Sequence, residues 1–126
     1  MDDRGKPRSP PPDDCPLERY LNVVSGAWVP RILWYLRQGA RRYGDLRRDL
    51  KSISGKVLTE KLRALESGGL VVRRVIDASP PQVEYSLSLR GTALNPLFEA
   101  MESVSAELER LDAIELSDRA TDAGRQ

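Results

Sequence analysis

The sequence predicts a mostly α-helical fold with one small β-hairpin. Apolar residues recur at three- and four-residue spacing in five segments, as they do on the buried face of amphipathic helices. Two segments rich in β-branched or alternating residues, 70–76 and 83–87, flank the turn sequence DASPPQ and are typical of paired strands. The resulting order of four helices, a hairpin and a final helix is that of a winged helix-turn-helix.

Two short helices are predicted to open the folded part of the chain. The first has an apolar stripe formed by Leu17, Tyr20, Leu21 and Val24. The apolar residues of the second are Trp28, Ile32, Leu33 and Leu36. Pro30 falls in the first turn of this second helix, where a missing N–H costs little. The segment before them, residues 1–14, is rich in Pro, Asp and Arg without a hydrophobic period, which predicts a disordered N-terminal arm.

The third and fourth helices form a closely spaced pair between residues 43 and 70. Their predicted buried residues are Tyr43, Leu46 and Leu50 in the first helix, and Leu58, Leu62 and Leu65 in the second. Ser54 is predicted to cap the second helix, because its hydroxyl can accept an N–H that the first turn leaves unpaired. Gly68 and Gly69 then end it.

The helix pair is also the most basic part of the chain. Residues 37–63 contain nine Lys or Arg against three Asp or Glu, although the whole chain has a formal net charge of +1. The positions between the buried ones are mostly basic or small and polar: Gly44, Arg47, Arg48, Lys56, Thr59, Glu60 and Arg63. One interpretation is a solvated helix surface. The coincidence of the charge with the helix pair favours contact with DNA phosphates.

The hairpin is predicted to project from the body, because its connection is too long for a tight turn. Ser88 is predicted to cap the final helical region, in which Pro96 either introduces a kink or starts the second half. The apolar residues of this region continue to Leu111, and they exceed what one small domain can cover. Together with the first helix, this stripe predicts a dimer surface, with packing inside the monomer as the alternative.

Composition excludes several classes of protein. No apolar run approaches the roughly 20 residues of a membrane span, and the N-terminus has no apolar core of a secretory signal. A single Cys excludes an internal disulfide framework, and the absence of His removes the usual zinc ligand and general base. We therefore expect a cytoplasmic protein that has no cofactor or bound metal, no catalytic residues and no membrane partner.

Four segments together resemble the HxlR-type winged helix-turn-helix transcriptional regulators over about residues 15–105. They are CPLERYLNVVSGAW with RILWYL (15–36), RRYGDLRRDLKSIS (41–54), LTEKLRALESGGLV (58–71) and PPQVEYSLSLRG (80–91). The resemblance implies a DNA-binding homodimer that inserts the helix at residues 54–68 into the major groove and uses the hairpin as a wing. It also implies dimerisation through the first and last helices. A two-fold dimer of this kind would read a pseudo-palindromic operator.

Eight residues are the predicted DNA-binding set. Four of them are predicted to face the groove from the second helix of the pair: Ser54, Lys56, Thr59 and Arg63. Arg47 and Arg48 lie nearby on the preceding helix, and Arg73 and Arg74 lie on the wing. Arg and Lys can bond guanine O6 and N7, whereas Thr can meet a thymine methyl or an acceptor. Because Arg73 and Arg74 are adjacent on a strand, only one of them is expected to face the DNA.

Two further groups are candidates for regulation. Cys15 stands where, by the resemblance, some members of the family carry a redox or electrophile sensor; the alternative is a small, partly buried residue without that role. Tyr20, Trp28, Trp34 and Phe98 are candidates to line a small-molecule effector pocket between the dimer-forming helices. Aromatic residues at helical spacing also occur as ordinary core, which is the competing interpretation.

The predicted organisation is a disordered arm at residues 1–14, a winged-helix DNA-binding and dimerisation domain at 15–111, and a polar, fraying tail at 112–126. The leading functional hypothesis is a homodimeric transcriptional regulator that responds to a small molecule or to thiol oxidation. Ala27, Gly55 and Gln82 depart from the family pattern at places where a DNA contact is common. These departures support an alternative, a winged-helix protein repurposed for small-molecule binding or catalysis in a dimer-interface pocket. A protein–protein adaptor is a third hypothesis.

Overall fold

The computed structural model describes residues 5–10, 13 and 15–124, apart from the side chains of residues 16 and 17. The other residues of the predicted N-terminal arm, 1–4, 11–12 and 14, lie outside this range, as do residues 125–126 and the side chain of Leu17. The described residues of the arm are exposed and belong to no helix or strand. The disorder of the arm stays a prediction.

The order of elements confirms a winged helix-turn-helix. The elements are α1 (Pro16–Val24), α2 (Val29–Leu36), β1 (Arg41–Arg42), α3 (Tyr43–Leu50), α4 (Gly55–Ser67), β2 (Val71–Ile76), β3 (Gln82–Leu87), α5 (Leu89–Thr92) and α6 (Asn95–Gly124). The three strands form one antiparallel sheet in the order β1-β3-β2. The wing is the β2-β3 hairpin, whose register pairs Val71 with Leu87 and Ile76 with Gln82.

Helix α4 begins and ends where its sequence predicts. The Ser54 hydroxyl accepts the Val57 N–H at 3.1 Å, which confirms the predicted cap. At the other end Gly69 has a φ of 76°, a left-handed conformation that favours glycine. The Gly69 N–H then bonds the Glu66 carbonyl at 2.9 Å, and the Leu70 N–H bonds the Leu65 carbonyl at 3.0 Å. This pair of bonds is a Schellman motif, so the last carbonyls of α4 are satisfied before β2 begins.

The core lies where α2, α3 and α4 meet the base of the wing. Ile32 and Leu33 of α2 and Leu46 of α3 are almost completely shielded from solvent. From α4, the predicted stripe Leu58, Leu62 and Leu65 is also fully buried. Tyr85 of β3 and Val71 of β2 close the core from the sheet side. The leucine stripes of the predicted helix pair are therefore confirmed as its buried faces.

Helix α6 is longer than the sequence predicts. The expected fraying after Leu111 is wrong for residues 112–124, which continue the helix to Gly124. Residues 112–123 contain no Pro or Gly and several strong helix formers, so their polarity alone does not end the helix. Pro96 lies in the first turn of α6, after the separate short helix α5, which confirms that it starts the second half of this region.

No residue of α6 is buried in the described part of the chain. Its apolar residues Leu97, Met101, Val104, Leu108 and Leu111 are each between 37% and 56% exposed. Their alternating four- and three-residue spacing is a heptad pattern, the kind of stripe that packs against another helix. Packing within the monomer therefore does not cover this stripe.

One side chain ties the first half of α6 to the body. Arg37, the residue after α2, has its Nη1 3.1 Å from Glu102 Oε1 of α6, and the Arg37 side chain is largely buried. Its guanidinium carbon also lies 5.6 Å from the centre of the Trp34 ring and 5.4 Å from that of Phe98. A cation held between two rings and a carboxylate fixes the direction in which α6 leaves the domain.

The start of α5 packs so tightly on β2 that it requires glycine at position 91. A Cβ added to Gly91 would lie 2.2 Å from the Leu70 carbonyl oxygen, which accepts the Ser88 N–H at 3.0 Å. The Ser88 hydroxyl accepts the Gly91 N–H at 3.0 Å, which confirms this predicted cap, and donates to the Gly69 carbonyl at 2.6 Å. The end of α4, the start of β2 and α5 are thus joined at one place.

We expect Gly91→Ala to lower the free energy of unfolding by about 1–3 kcal/mol, because the methyl group displaces backbone. Gly44→Ala is the matched control, since a Cβ there has nothing within 4 Å and lies in a helix. It should raise the same free energy by about 0.5–1 kcal/mol. Urea unfolding followed by circular dichroism at one protein concentration measures both. Equal effects of the two changes would contradict this packing.

Candidate nucleic-acid interface

Helices α3 and α4 present one continuous outer surface, because their leucines turn inward together. Tyr43, the first residue of α3, reaches across to the first turn of α4. Its hydroxyl donates to the Gly55 carbonyl at 3.1 Å and lies 3.1 Å from Thr59 Oγ1. The half-buried Tyr43 ring also packs against the core. This side chain therefore fixes the start of α4 relative to α3.

A cleft of about 730 Å³ lies between the start of α3, the outer face of α4 and the wing. We call it the arginine cleft, because four exposed arginines are among its lining residues: Arg42, Arg48, Arg63 and Arg73. Thr59 and Gln82 also line it, together with the acidic residues Asp45 and Glu66. The cleft thus joins the helix pair and the wing into one basic surface.

Half of the predicted DNA-binding residues line the arginine cleft. They are Arg48, Thr59, Arg63 and Arg73. The other four lie elsewhere: Arg47, Ser54 and Lys56 surround the start of α4, and Arg74 lies on the wing. The Ser54 hydroxyl is used as the helix cap. Contact of any of the eight with DNA stays a prediction.

The two wing arginines face opposite sides of the hairpin, as their adjacency predicts. Arg73 pairs in register with the buried Tyr85 and lines the arginine cleft. Arg74 pairs with Glu84, and its Nη2 lies 3.2 Å from the Glu84 carboxylate. Arg73 is therefore the wing cation on the same side as α4.

Sequence reasoning missed Arg42. This residue belongs to β1, a two-residue strand that pairs with Tyr85 and Glu84 and brings Arg42 to the edge of the cleft. Two residues carry no periodicity, so the strand gave no signal before the fold was known. The double arginine at 41–42 was the only available indication, and it lay within the basic segment.

Some of the described basic residues near the arginine cleft form ion pairs with carboxylates, and others do not. Arg41 forms two hydrogen bonds of 2.8 and 2.9 Å to the Asp49 carboxylate, and these raise the pKa of Arg41 and lower that of Asp49. Arg48 is paired with Asp45. Within the described residues, Arg42, Arg63 and Arg73 form no ion pair with a carboxylate. These three are the cations most available to an anionic ligand.

Gly55, in the first turn of α4, lies beside two side chains of α3. A Cβ on this residue would lie 3.4 Å from both Arg47 Nη1 and Tyr43 Oη. The guanidinium of Arg47 thus stands beside the first turn of α4, where a longer side chain at position 55 would otherwise project.

The family profile of the HxlR-like helix-turn-helix proteins matches residues 23–112. This range contains α2 to α5, the wing and the first part of α6. The chain belongs to the HxlR-like helix-turn-helix family. It is a transcriptional regulator of the helix-turn-helix type, with the winged-helix fold described above.

Similar proteins agree with this family. The HTH-type transcriptional regulator YdeP of Bacillus subtilis, described as uncharacterized, is 33% identical over 111 residues, which cover 87% of each chain. The solved structure of the redox regulator HypR in its oxidized form is 36% identical with a TM-score of 0.67, and covers 74% of this chain and 96% of that one. The reduced transcriptional regulator YodB of B. subtilis is 32% identical with a TM-score of 0.66, covering 71% and 88%.

Within the described residues, the predicted effector-pocket residues of this HxlR-like regulator lie on separate parts of the surface. Trp34 lines a hollow of about 460 Å³ between α2 and the end of α3, and Trp28 lines a separate one beside it. The rings of Phe98 and Trp34 both lie against the guanidinium of Arg37. Tyr20 is on the exposed side of α1. An effector pocket built from all four stays a prediction for the dimer.

Cys15 of this regulator is half-buried and stands directly before α1. Its side chain makes no capping hydrogen bond to that helix. Among residues 5–10, 13 and 15–124, no three or more Cys, Asp or Glu residues are grouped so that they could hold a metal ion. No helix in these same stretches combines the length and the apolar character that crossing a bilayer requires.

Proposed function

We propose that this chain acts as a homodimer that binds a pseudo-palindromic DNA operator. The arginine cleft carries the proposal, because it combines an exposed helix with four cations on one side of the molecule. The major groove is about 12 Å wide and admits one α-helix, which is the role we assign to α4. The plain alternative is a solvated basic surface. Membership in a helix-turn-helix family of regulators supports the DNA interpretation.

The cations are proposed to divide between base reading and positioning. Lys56, Thr59 and Arg63 lie on the outer side of α4, and are assigned to base edges and the adjacent phosphates. Arg42 and Arg73 flank α4 from the sheet and are assigned to the backbone of the same half-site. Arg47 and Arg48 are assigned to the DNA phosphates that would lie beside α3. The family departures at Ala27, Gly55 and Gln82 leave this set of cations intact.

Dimerisation is proposed to bury the exposed stripe of α6, together with the outer face of α1. The stripe runs from Leu97 to Leu111 in heptad spacing, and Tyr20 and Leu21 of α1 are also exposed apolar residues. A helix that stays in water does not ordinarily expose an apolar stripe of this length, so the stripe is expected to pack against another helix. A two-fold dimer would place two α4 helices on half-sites about one helical turn apart, 10–10.5 base pairs centre to centre.

A thiol response is proposed for Cys15. It is the only Cys of the chain, so a disulfide formed by it would join two subunits. The similarity to the redox regulator HypR supports this role, and the half-buried position before α1 leaves the thiol partly accessible. A change at α1 would act on the proposed dimer surface directly. A small-molecule effector between the same helices is the other proposed input.

DNA binding is tested with duplexes selected from a random library by the wild-type protein. Arg63→Ala and Arg73→Ala should each weaken binding about tenfold at 150 mM salt and, for each lost phosphate contact, reduce the salt slope by about one. Arg74→Ala is the matched control, because its side chain faces the other side of the wing and pairs with Glu84. Fluorescence anisotropy across a salt series measures all three. Identical losses for Arg73→Ala and Arg74→Ala would refute the assigned face.

Dimerisation is tested by placing a charge in the α6 stripe. Leu108→Lys should convert the dimer to a monomer, because an ammonium group cannot be buried between two apolar helices. Glu109→Lys changes the next residue, which lies outside the heptad stripe, and should leave the dimer intact. Sedimentation equilibrium gives the mass of each. A monomeric wild-type protein, or a dimeric Leu108→Lys variant, would rule out this surface.

The thiol response is tested with diamide. The wild-type protein should form a covalent dimer on a non-reducing gel and lose DNA affinity, and dithiothreitol should reverse both. Cys15→Ser should show neither change, because no other thiol exists in the chain. If Cys15→Ser loses affinity with diamide as the wild type does, Cys15 is not the sensor.

A further inference from the structure

Three residues at the start of the helix pair form one hydrogen-bonded chain. Tyr43 Oη lies 3.1 Å from the Gly55 carbonyl oxygen and 3.1 Å from Thr59 Oγ1. Tyr43 and Thr59 are both half-buried, and both line the arginine cleft. The chain therefore lies at the boundary between the core and the surface assigned to DNA.

The direction of each bond follows from the protons available. A carbonyl oxygen only accepts, so the single hydroxyl proton of Tyr43 goes to Gly55. The Tyr43 oxygen must then act as the acceptor in its bond with Thr59. Thr59 consequently donates its only side-chain proton to Tyr43. What Thr59 can still offer to a ligand is its methyl group and the two acceptor lone pairs of its hydroxyl oxygen.

We propose that Thr59 selects thymine through its methyl group. This deepens the proposed function, because it rests on α4 lying in the major groove. The groove edge of guanine presents the acceptors N7 and O6, which need a donor that Thr59 no longer has. Thymine presents a C5 methyl group, which a threonine methyl can contact. The sequence alone left both partners open, and the Tyr43 bond removes the donor interaction.

The position of Thr59 suits a short apolar contact. It lies one turn before Arg63 on the outer face of α4, and both residues line the arginine cleft. Gly55 lies beside these hydrogen bonds, since a Cβ there would be in ordinary contact with Tyr43 Oη at 3.4 Å. Tyr43 is therefore a positioning residue: it holds the rotamer and the proton of Thr59 and touches no base itself.

The test replaces each thymine of a selected half-site by deoxyuridine, which removes only the methyl group. We expect one position at which the wild-type protein loses about fourfold in affinity, the value of one buried methyl-sized group. Thr59→Ser lacks the methyl group, and should lose this uracil sensitivity. Thr59→Val keeps a methyl group but has no hydroxyl. Its affinities for the thymine and deoxyuridine duplexes should differ by the same factor as those of the wild-type protein.

Tyr43→Phe provides the second arm. It removes the acceptor for Thr59 without changing the ring, so the Thr59 proton becomes free to donate. We expect the loss of affinity caused by replacing thymine with guanine at the uracil-sensitive position to be several-fold smaller in Tyr43→Phe than in the wild-type protein. A thermal unfolding curve for each variant shows that the fold is retained.

Three results would overturn the proposal. They are the absence of any uracil-sensitive position in the half-site, equal sensitivity in Thr59→Ser and wild type, and a loss of sensitivity in Thr59→Val. The last would mean that the contact with the thymine methyl group depends on the Thr59 hydroxyl and not on the Thr59 methyl group. If the wild-type protein selects no duplex at all, the DNA-binding function itself fails, which is a different outcome from any of these.

Discussion

The rotation of α4 about its own axis is the constraint on which the rest of the structure depends. Leu58, Leu62 and Leu65 are fully buried, and a 3.6-residue period then leaves no choice about which residues face outward. A rotation by one residue would turn the helix by about 100°, exposing leucines and burying charged groups. The Ser54 cap, the left-handed Gly69 and the Tyr43 bridge fix the ends of the same helix. The arginine cleft exists because this orientation is fixed.

The second constraint is the attachment of α6. A helix of 30 residues is about 45 Å long, yet its contacts with the body lie in its first turns. Arg37 holds these turns through Glu102 and the rings of Trp34 and Phe98. In the proposed dimer, the angle at this junction sets the separation of the two α4 helices. In that dimer, a change at α1 or α6 would alter the separation of the two α4 helices.

Sequence periodicity was sufficient for α2, α3 and α4, because each of these helices has one buried apolar face. The start of α4 was also marked by its cap Ser54 and its end by Gly68 and Gly69. Periodicity failed at β1, since two residues have no period, and at the end of α6, where polar residues with high helix propensity continued the helix. For the candidate site it identified four of the cleft residues, including Arg63 and Thr59. It could not identify Arg42, which reaches the cleft only through strand pairing, or the proton direction at Thr59, which depends on Tyr43 sixteen residues earlier.

The central claim is that two copies of this basic surface read two related DNA half-sites. The most direct measurement is selection of random duplexes by the full-length protein at about 150 mM salt, followed by sequencing of the bound pool. The account predicts an enriched inverted repeat whose half-sites are centred about one helical turn apart, 10–10.5 base pairs. An unenriched pool, or a single enriched site without two-fold symmetry, would contradict it.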